Sequence, residues 1–241
     1  MITVATWNVL HRVHAENWGA EAIPKCWPKE PERIAAITEW LAGRTEQVIA
    51  LQEVSGDQLA DLRRALPGRT FHTLRYPRVP APRQGSCPLS DPGEHLVLMV
   101  NGTSQFRSAE SFGNDPGKGV LAVQVAETLV IATHLSGDRR RVPQLARLAE
   151  LAAAHPERPV LLLGDFNTDR ATVASGLGEG FTVAALPPGS PPTRLHRPHA
   201  ETHTVDHVVV RDATIVDTAV ESSDDLSDHN LVRAAISFRP S

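Results

Sequence analysis

Val160-Leu161-Leu162-Leu163-Gly164-Asp165-Phe166-Asn167 is the stretch that decides the fold. An unbroken apolar run of strand length predicts a strand covered on both faces. A glycine, a carboxylate, an aromatic ring and an amide follow at once. In an extended backbone residues two apart face the same way, so Asp165 and Asn167 share a face while Phe166 turns into the core. A carboxylate beside an amide suits a hard divalent cation, a phosphoryl oxygen or an attacking water. The plainer alternative is an Asx turn capping the strand end without a ligand.

Similar polar blocks end other apolar runs. Thr6-Trp7-Asn8 follows Ile2-Thr3-Val4-Ala5, and Gln52-Glu53-Val54 follows Val48-Ile49-Ala50-Leu51. His134 closes Leu129-Val130-Ile131-Ala132-Thr133, Asp206 stands before Val208-Val209-Val210, and Ser227-Asp228-His229 opens the run at 231–238. Each residue alone reads as a turn former or a solvated strand end. Their joint placement at strand ends collects carboxylates, amides and imidazoles at one sheet edge. An imidazole with a carboxylate on one nitrogen can act as a base near neutral pH, and Asp206 is the expected partner of His229.

Further strand-length runs lie at 95–100, 119–125 and 214–220. Helical spacing appears at Ile34, Ile37, Trp40 and Leu41, with Pro31 in a first turn and Gly43 at the end. It recurs at Leu59, Leu62 and Leu66, and across about 138–154. Strands and helices alternate, then strands follow in pairs, which predicts two sheets with helices outside. Residues 11–30, 77–94 and 187–204 read as long loops of the kind that carry function.

With 241 residues, 41% of them hydrophobic, the chain can bury one sizeable core. A single domain over residues 1–241 is expected. The net charge of −4 provides no basic field to gather nucleic acid, so contact with a polyanion must be local and assisted by metal. Cys26 and Cys87 have no metal or disulfide spacing and read as reduced thiols. The N-terminus lacks a basic stretch leading into an apolar one, and no apolar run approaches the roughly 18 residues of a membrane span. A soluble, cytoplasmic protein is expected.

Taken in order, TWN, LQEV, THL, GDFN, VDH and SDH resemble the endonuclease/exonuclease/phosphatase superfamily from Thr6 to Asn230. That superfamily includes deoxyribonucleases, AP endonucleases, deadenylases, tyrosyl-DNA phosphodiesterases, sphingomyelinases and inositol phosphate phosphatases. The resemblance implies an α/β fold: a four-layer α-β-β-α sandwich of two mixed sheets packed face to face. It implies Glu53 as the main Mg²⁺ or Mn²⁺ ligand, with Asn8 beside it and Asp228 completing the metal side. Asp165 would orient or deprotonate water, while Asn167 and His134 would hold the phosphate. Asp206 would pair with His229. Lys118, between Gly117 and Gly119, and Arg140, in Arg139-Arg140-Arg141, are further candidates for phosphate contact.

The activity so implied is metal-dependent hydrolysis of a phosphoester, foremost by a nuclease or phosphodiesterase acting on nucleic acid or a nucleotide-type substrate. A phosphatase for a sugar phosphate, inositol phosphate or lipid head group is the alternative, and a non-catalytic binding module the remote one. Trp18, Trp27, Tyr76, Arg75, Arg78, Arg83, Arg194 and Arg197 are the loop residues available for stacking or phosphate contact. Aromatics make up only 5% of the chain, which argues against a long stacking platform. A monomer is expected.

Overall fold

The computed structural model describes residues 1–17, 22–195 and 204–238. The first half of the chain contains β1 (Ile2–Asn8), α1 (Arg12–Asn17), α2 (Ala22–Cys26), α3 (Glu30–Ala42), β2 (Val48–Ser55), α4 (Gly56–Ala65), β3 (Thr70–Arg75), β4 (Glu94–Val100) and β5 (Ser104–Phe112). The second contains β6 (Asp115–Val125), β7 (Thr128–His134), α5 (Arg141–Ala153), β8 (Val160–Asp165), α6 (Arg170–Leu177), β9 (Phe181–Val183), β10 (Asp206–Arg211), β11 (Ala213–Glu221) and β12 (Leu231–Phe238).

Two six-stranded mixed sheets result, ordered β11-β12-β1-β2-β4-β3 and β5-β6-β7-β8-β10-β9. Parallel pairing occurs once in each, β1 with β2 and β7 with β8, and both pairs are joined through helices. The nearly continuous apolar runs have the expected cause. In β8, Leu161 and Leu163 enter the core between the sheets, while Val160 and Leu162 pack beneath α5 and α6. In β1, Val4 faces the inter-sheet core, and Ala5 and Trp7 face the side covered by α3 and α4. Each fully buried leucine here contributes roughly 1.5–3 kcal/mol of transfer free energy. The layers therefore run helix, sheet, sheet, helix, as the resemblance implied.

Several elements depart from the sequence reading. Residues 11–30 are not simply a loop: α1 and α2 lie within them, and α3 starts at Glu30. β3, β5 and β9 were not visible as apolar runs. β3 and β9 are edge strands and β5 borders only β6, so their outer faces carry polar residues. Tyr76 is no loop stacking residue, being 2% exposed and packed into the inter-sheet core. Trp18 and Arg197 lie outside the described residues.

Candidate active site

Strand register assembles the site. His134 at the end of β7 pairs with Asp165 at the end of β8, and Asp165 pairs with Asp206 at the start of β10. Three of the candidate side chains thus stand on adjacent strands at one level. In the other sheet, Asn8 ends β1 beside Gln52 of β2. Glu53 does not end β2, which continues to Ser55. Instead the β2–β4 register slips between Leu51 and Val54, and Glu53 takes a positive φ of 60°. Leu51 and Val54 both pack toward the helices. The bulge re-aims Glu53 away from that layer toward the end of the sandwich.

The two sheets meet through Asn8. Its Nδ2 donates to Glu53 Oε1 at 3.1 Å and to Asp165 Oδ2 at 3.1 Å. Asn8 Oδ1 accepts from the Leu10 amide at 3.0 Å. Asn8 therefore turns a donor, not an oxygen, toward the carboxylates. The other Glu53 oxygen accepts from the His11 amide at 3.1 Å.

Asp165 is 1% exposed and lies at the centre of the cluster. Its Oδ2 stands 3.3 Å from His134 Nε2 and 4.0 Å from His229 Nε2. Its Oδ1 accepts from the Asn167 amide at 2.8 Å, so the Asx turn weighed as the plainer alternative is present as well. Asn167 consequently has a φ of 50° and does not continue the strand. Its side chain donates to Leu135 O at 2.9 Å and accepts from Arg194 at 3.4 Å. Phe166 is fully buried and anchors the turn in the core under α5 and α6.

His229 is 2% exposed, and its Nδ1 meets Asp206 Oδ2 at 2.8 Å. Trp7 Nε1 donates to the His229 carbonyl at 2.9 Å, and Ser227 Oγ donates to Asn8 O at 2.6 Å. These bonds tie the loop before β12 to the end of β1. Asp228 Oδ1 lies 3.9 Å from His229 Nε2, and Asp228 Oδ2 lies 3.8 Å from Arg194 Nε. Lys118 Nζ contacts both ring nitrogens of His134. Gly119 beside it is required by space: a Cβ there would fall 2.5 Å from the Glu110 carbonyl oxygen. Arg140 is held by Asp115 at 3.2 Å and Asp138 at 2.9 Å.

Burial works against ionisation throughout, and neighbouring charges decide the outcome. For Glu53, burial is outweighed by His14, His134 and Lys118, which hold the carboxyl well below its ordinary range. For Asp165 it is outweighed by His134, His229 and Arg194, with the same result. Burial disfavours the His229 cation, but Asp206, Asp228 and Asp165 push it up to about 9. Asp206 is raised by its burial, against the pull of His229. His229 is thus an imidazolium at neutral pH rather than the neutral base the Asp-His spacing predicts.

A cavity of about 380 Å³ opens over this cluster, lined by Leu10, His14, Glu53, Gly137, Asp138, Arg140, Arg194, Asp228 and His229. Among the described residues, Asp165, Asp206 and His229 each offer a ligand atom within 4.8 Å of the others. The sequence reading missed His14, His11 and Glu94, and placed Arg194 only in a general loop set. One signal was available: Glu94 and His95 are polar residues opening a buried apolar run.

The match to the Endonuclease/Exonuclease/phosphatase family model extends over residues 5–229, and the chain belongs to that family, whose enzymes are metal-dependent phosphoester hydrolases. Solved structures share the fold at low identity. D. rerio TDP2 humanized by 14 mutations has a TM-score of 0.70 at 18% identity, over 98% of each chain. D. rerio TDP2 complexed with single strand DNA product has a TM-score of 0.69 at 18% identity, again over 98% of each chain. A family protein from Bacteroides thetaiotaomicron has a TM-score of 0.71 at 16% identity, over 99% of this chain and 98% of that one. Comparison with curated proteins by sequence finds no match.

Proposed function

We propose that residues 1–241 form one catalytic domain that hydrolyses phosphodiester bonds in nucleic acid or a nucleotide-type substrate with Mg²⁺ or Mn²⁺. The observation that carries this reading is the contact of Asn8 with both Glu53 and Asp165, which joins the polar ends of two sheets beneath one cavity. The DNA product bound to the similarly folded TDP2 supports the substrate class.

Glu53 and Asp228 fit a hard cation. Both carboxylates line the cavity, and the Glu53 oxygens accept hydrogen bonds from the neutral donors Asn8 Nδ2 and the His11 amide, with His134 Nε2 farther off at 3.9 Å. The alternative set of Asp165, Asp206 and His229 is buried, and its His229 Nδ1 is already bonded to Asp206 Oδ2 at 2.8 Å. Asn8 then serves the metal side by holding Glu53 rather than by donating an oxygen. A divalent cation at Glu53 and Asp228 supplies charge neutralisation of the phosphate and acidification of water. Asp165, ionised and fixed on three sides, orients the attacking water and takes up its proton. His229 and His134 donate to phosphate oxygens as negative charge grows on them. Arg194, reaching both Asn167 and Asp228, and Arg140 offer charge for the remaining phosphate oxygens. Lys118, in contact with both ring nitrogens of His134, adds a further positive charge beside Glu53 and His14.

Hydrolysis of bis-p-nitrophenyl phosphate with Mg²⁺ or Mn²⁺, followed by single- and double-stranded DNA and RNA, tests the proposal. Asp165→Ala should cost several orders of magnitude in kcat, and near-normal turnover would reject the assignment. One observation favours the small-molecule alternative: among the described residues no Trp, Tyr or Phe lines the cavity to stack bases. Salt separates the two readings, because binding of a polyanion weakens steeply as salt rises.

A further inference from the structure

A second carboxylate–imidazole pair faces the same cavity. His14 on α1 places Nε2 2.9 Å from Glu94 Oε2 at the start of β4. The ring also lines the cavity beside Glu53, with 18% of its side chain exposed and its Nε2 held by the carboxylate, so donation to a substrate would fall to Nδ1. The arrangement repeats Asp206–His229 on the opposite, Glu53 side of the site. From this geometry we infer that His14, oriented by Glu94, donates the proton to the leaving-group oxygen.

The inference rests on the phosphodiesterase reading above. His14 has a different character from its neighbour His11, although their ring centroids are 5.4 Å apart. His11 has both nitrogens engaged in structure: Nδ1 accepts from the Val13 amide at 3.2 Å, and Nε2 lies 3.1 Å from Pro92 O. Burial lowers His11, leaving it neutral. His14 instead has a fully buried carboxylate behind it and the cavity in front. Burying a carboxylate such as Glu94 is expensive unless it is paired, and its Oε1 has no hydrogen-bond partner among the described residues. A purely structural role for this position would be filled more favourably by an apolar side chain, since every other residue of β4 is buried.

The groups facing His14 are Glu94, Glu53, His11 and Lys118. Burial opposes its charge and Lys118 opposes it further, but Glu53 and Glu94 prevail and raise it.

In the step proposed, water forms a bond to phosphorus and releases one proton to Asp165. The bond from phosphorus to the leaving oxygen breaks, and its electron pair stays with that oxygen. The oxygen takes the proton from His14, giving an alcohol and a phosphomonoester. Asp165 then releases its proton to solvent, and solvent reprotonates His14.

Leaving-group chemistry provides the test. Purified wild type, His14→Gln and Glu94→Gln would be assayed with Mg²⁺ on bis-p-nitrophenyl phosphate and on diphenyl phosphate. These substrates are alike in shape, but phenolate leaves less readily and depends more on protonation. His14→Gln is expected to lose about 100-fold or more on diphenyl phosphate, as expected for loss of a general acid, and roughly tenfold or less on the nitrophenyl ester. Glu94→Gln should show the same pattern, more weakly. Circular dichroism and a thermal midpoint report folding of each variant, and Glu94→Gln keeps the test open if His14→Gln does not fold. Equal losses on both substrates, or none, would overturn the assignment of His14 alone. Failure of the wild type to cleave either diester would overturn the phosphodiesterase reading, and this inference with it.

Discussion

Gly164 carries no chemistry, yet its replacement by alanine should disable the site. It pairs with Thr133 of β7 on one side and His207 of β10 on the other, one residue before Asp165. A Cβ at Gly164 would lie 2.9 Å from the Thr133 carbonyl carbon, and nearer still to its oxygen. Ordinary contact begins at 3.4 Å, so strands β7 and β8 must part by at least 0.5 Å, the difference of these two distances. Both strands are fully buried and cannot yield cheaply. Overpacking of this kind costs about 1–3 kcal/mol, and a backbone atom as the obstacle puts it at the upper end. For a domain of this size that is roughly 6–12 °C in Tm. The displacement falls between His134 and Asp165, whose side chains are 3.3 Å apart. A misplacement approaching 1 Å costs on the order of 100-fold in rate, so a loss of roughly 10- to 100-fold in kcat/KM is expected.

Thermal unfolding followed by circular dichroism, and hydrolysis of bis-p-nitrophenyl phosphate well below either midpoint, would measure both effects. Leu148→Ala supplies the control. That residue is fully buried in α5, and its truncation should cost a comparable 2–5 kcal/mol without touching the site. Wild-type stability and rate in Gly164→Ala would refute the steric reasoning. Equal rate losses in the two variants would refute the link from strand spacing to catalysis.

Other outcomes follow from the same contacts. Arg33 is buried and donates to the carbonyls of Val9, Leu10 and Leu226 while pairing with Glu30; Arg33→Met should destabilise by about 3–5 kcal/mol in urea titration, and Glu30→Gln in addition should restore part of it. In metal-free protein, His229 at about 9 against 6.5 unfolded contributes on the order of 3 kcal/mol below pH 6.5, and this is lost as pH rises through 9. Denaturation of wild type at pH 6 and pH 9.5, set against Asp206→Asn, should show the loss in wild type and a smaller one in the variant. Addition of Mg²⁺ at 100 times its Kd should stabilise wild type by about 2.7 kcal/mol, and an undiminished shift in Glu53→Gln would remove Glu53 from the metal site.

The layering was legible because β8, β4 and β1 are covered on both faces and read as unbroken apolar runs. β5 was not, since Ser104–Phe112 borders only β6 and has much of its length exposed. α6 was missed because Arg170–Leu177 is short and only Val173 and Leu177 are buried; its clearest local signal is the Asp169 side chain capping Thr172. Among site residues, the strand-end positions of Asn8, His134 and Asp165 were readable, because register follows from apolar pattern. The rotation of Glu53 was not, for a bulge leaves no trace in hydrophobic spacing. Nor was the orientation of Asn8, which depends on a contact spanning 157 residues. The His14–Glu94 pair joins a short helix to a strand 80 residues away, and nothing in either segment names the other.

The place of β1 between β2 and β12 has a consequence for biosynthesis. Ile2 pairs with Ile236, so β1 waits for β12, more than 200 residues later in the sequence, before both its edges are closed. Until then it presents a row of unpaired backbone groups, open to another chain. Long-range closure of this kind is slow, which lengthens that exposure. Asp206, Asp228 and His229 arrive with the closing strands, so a chain that stops before β10 lacks three residues of the proposed centre, and one without β12 also lacks a partner of β1.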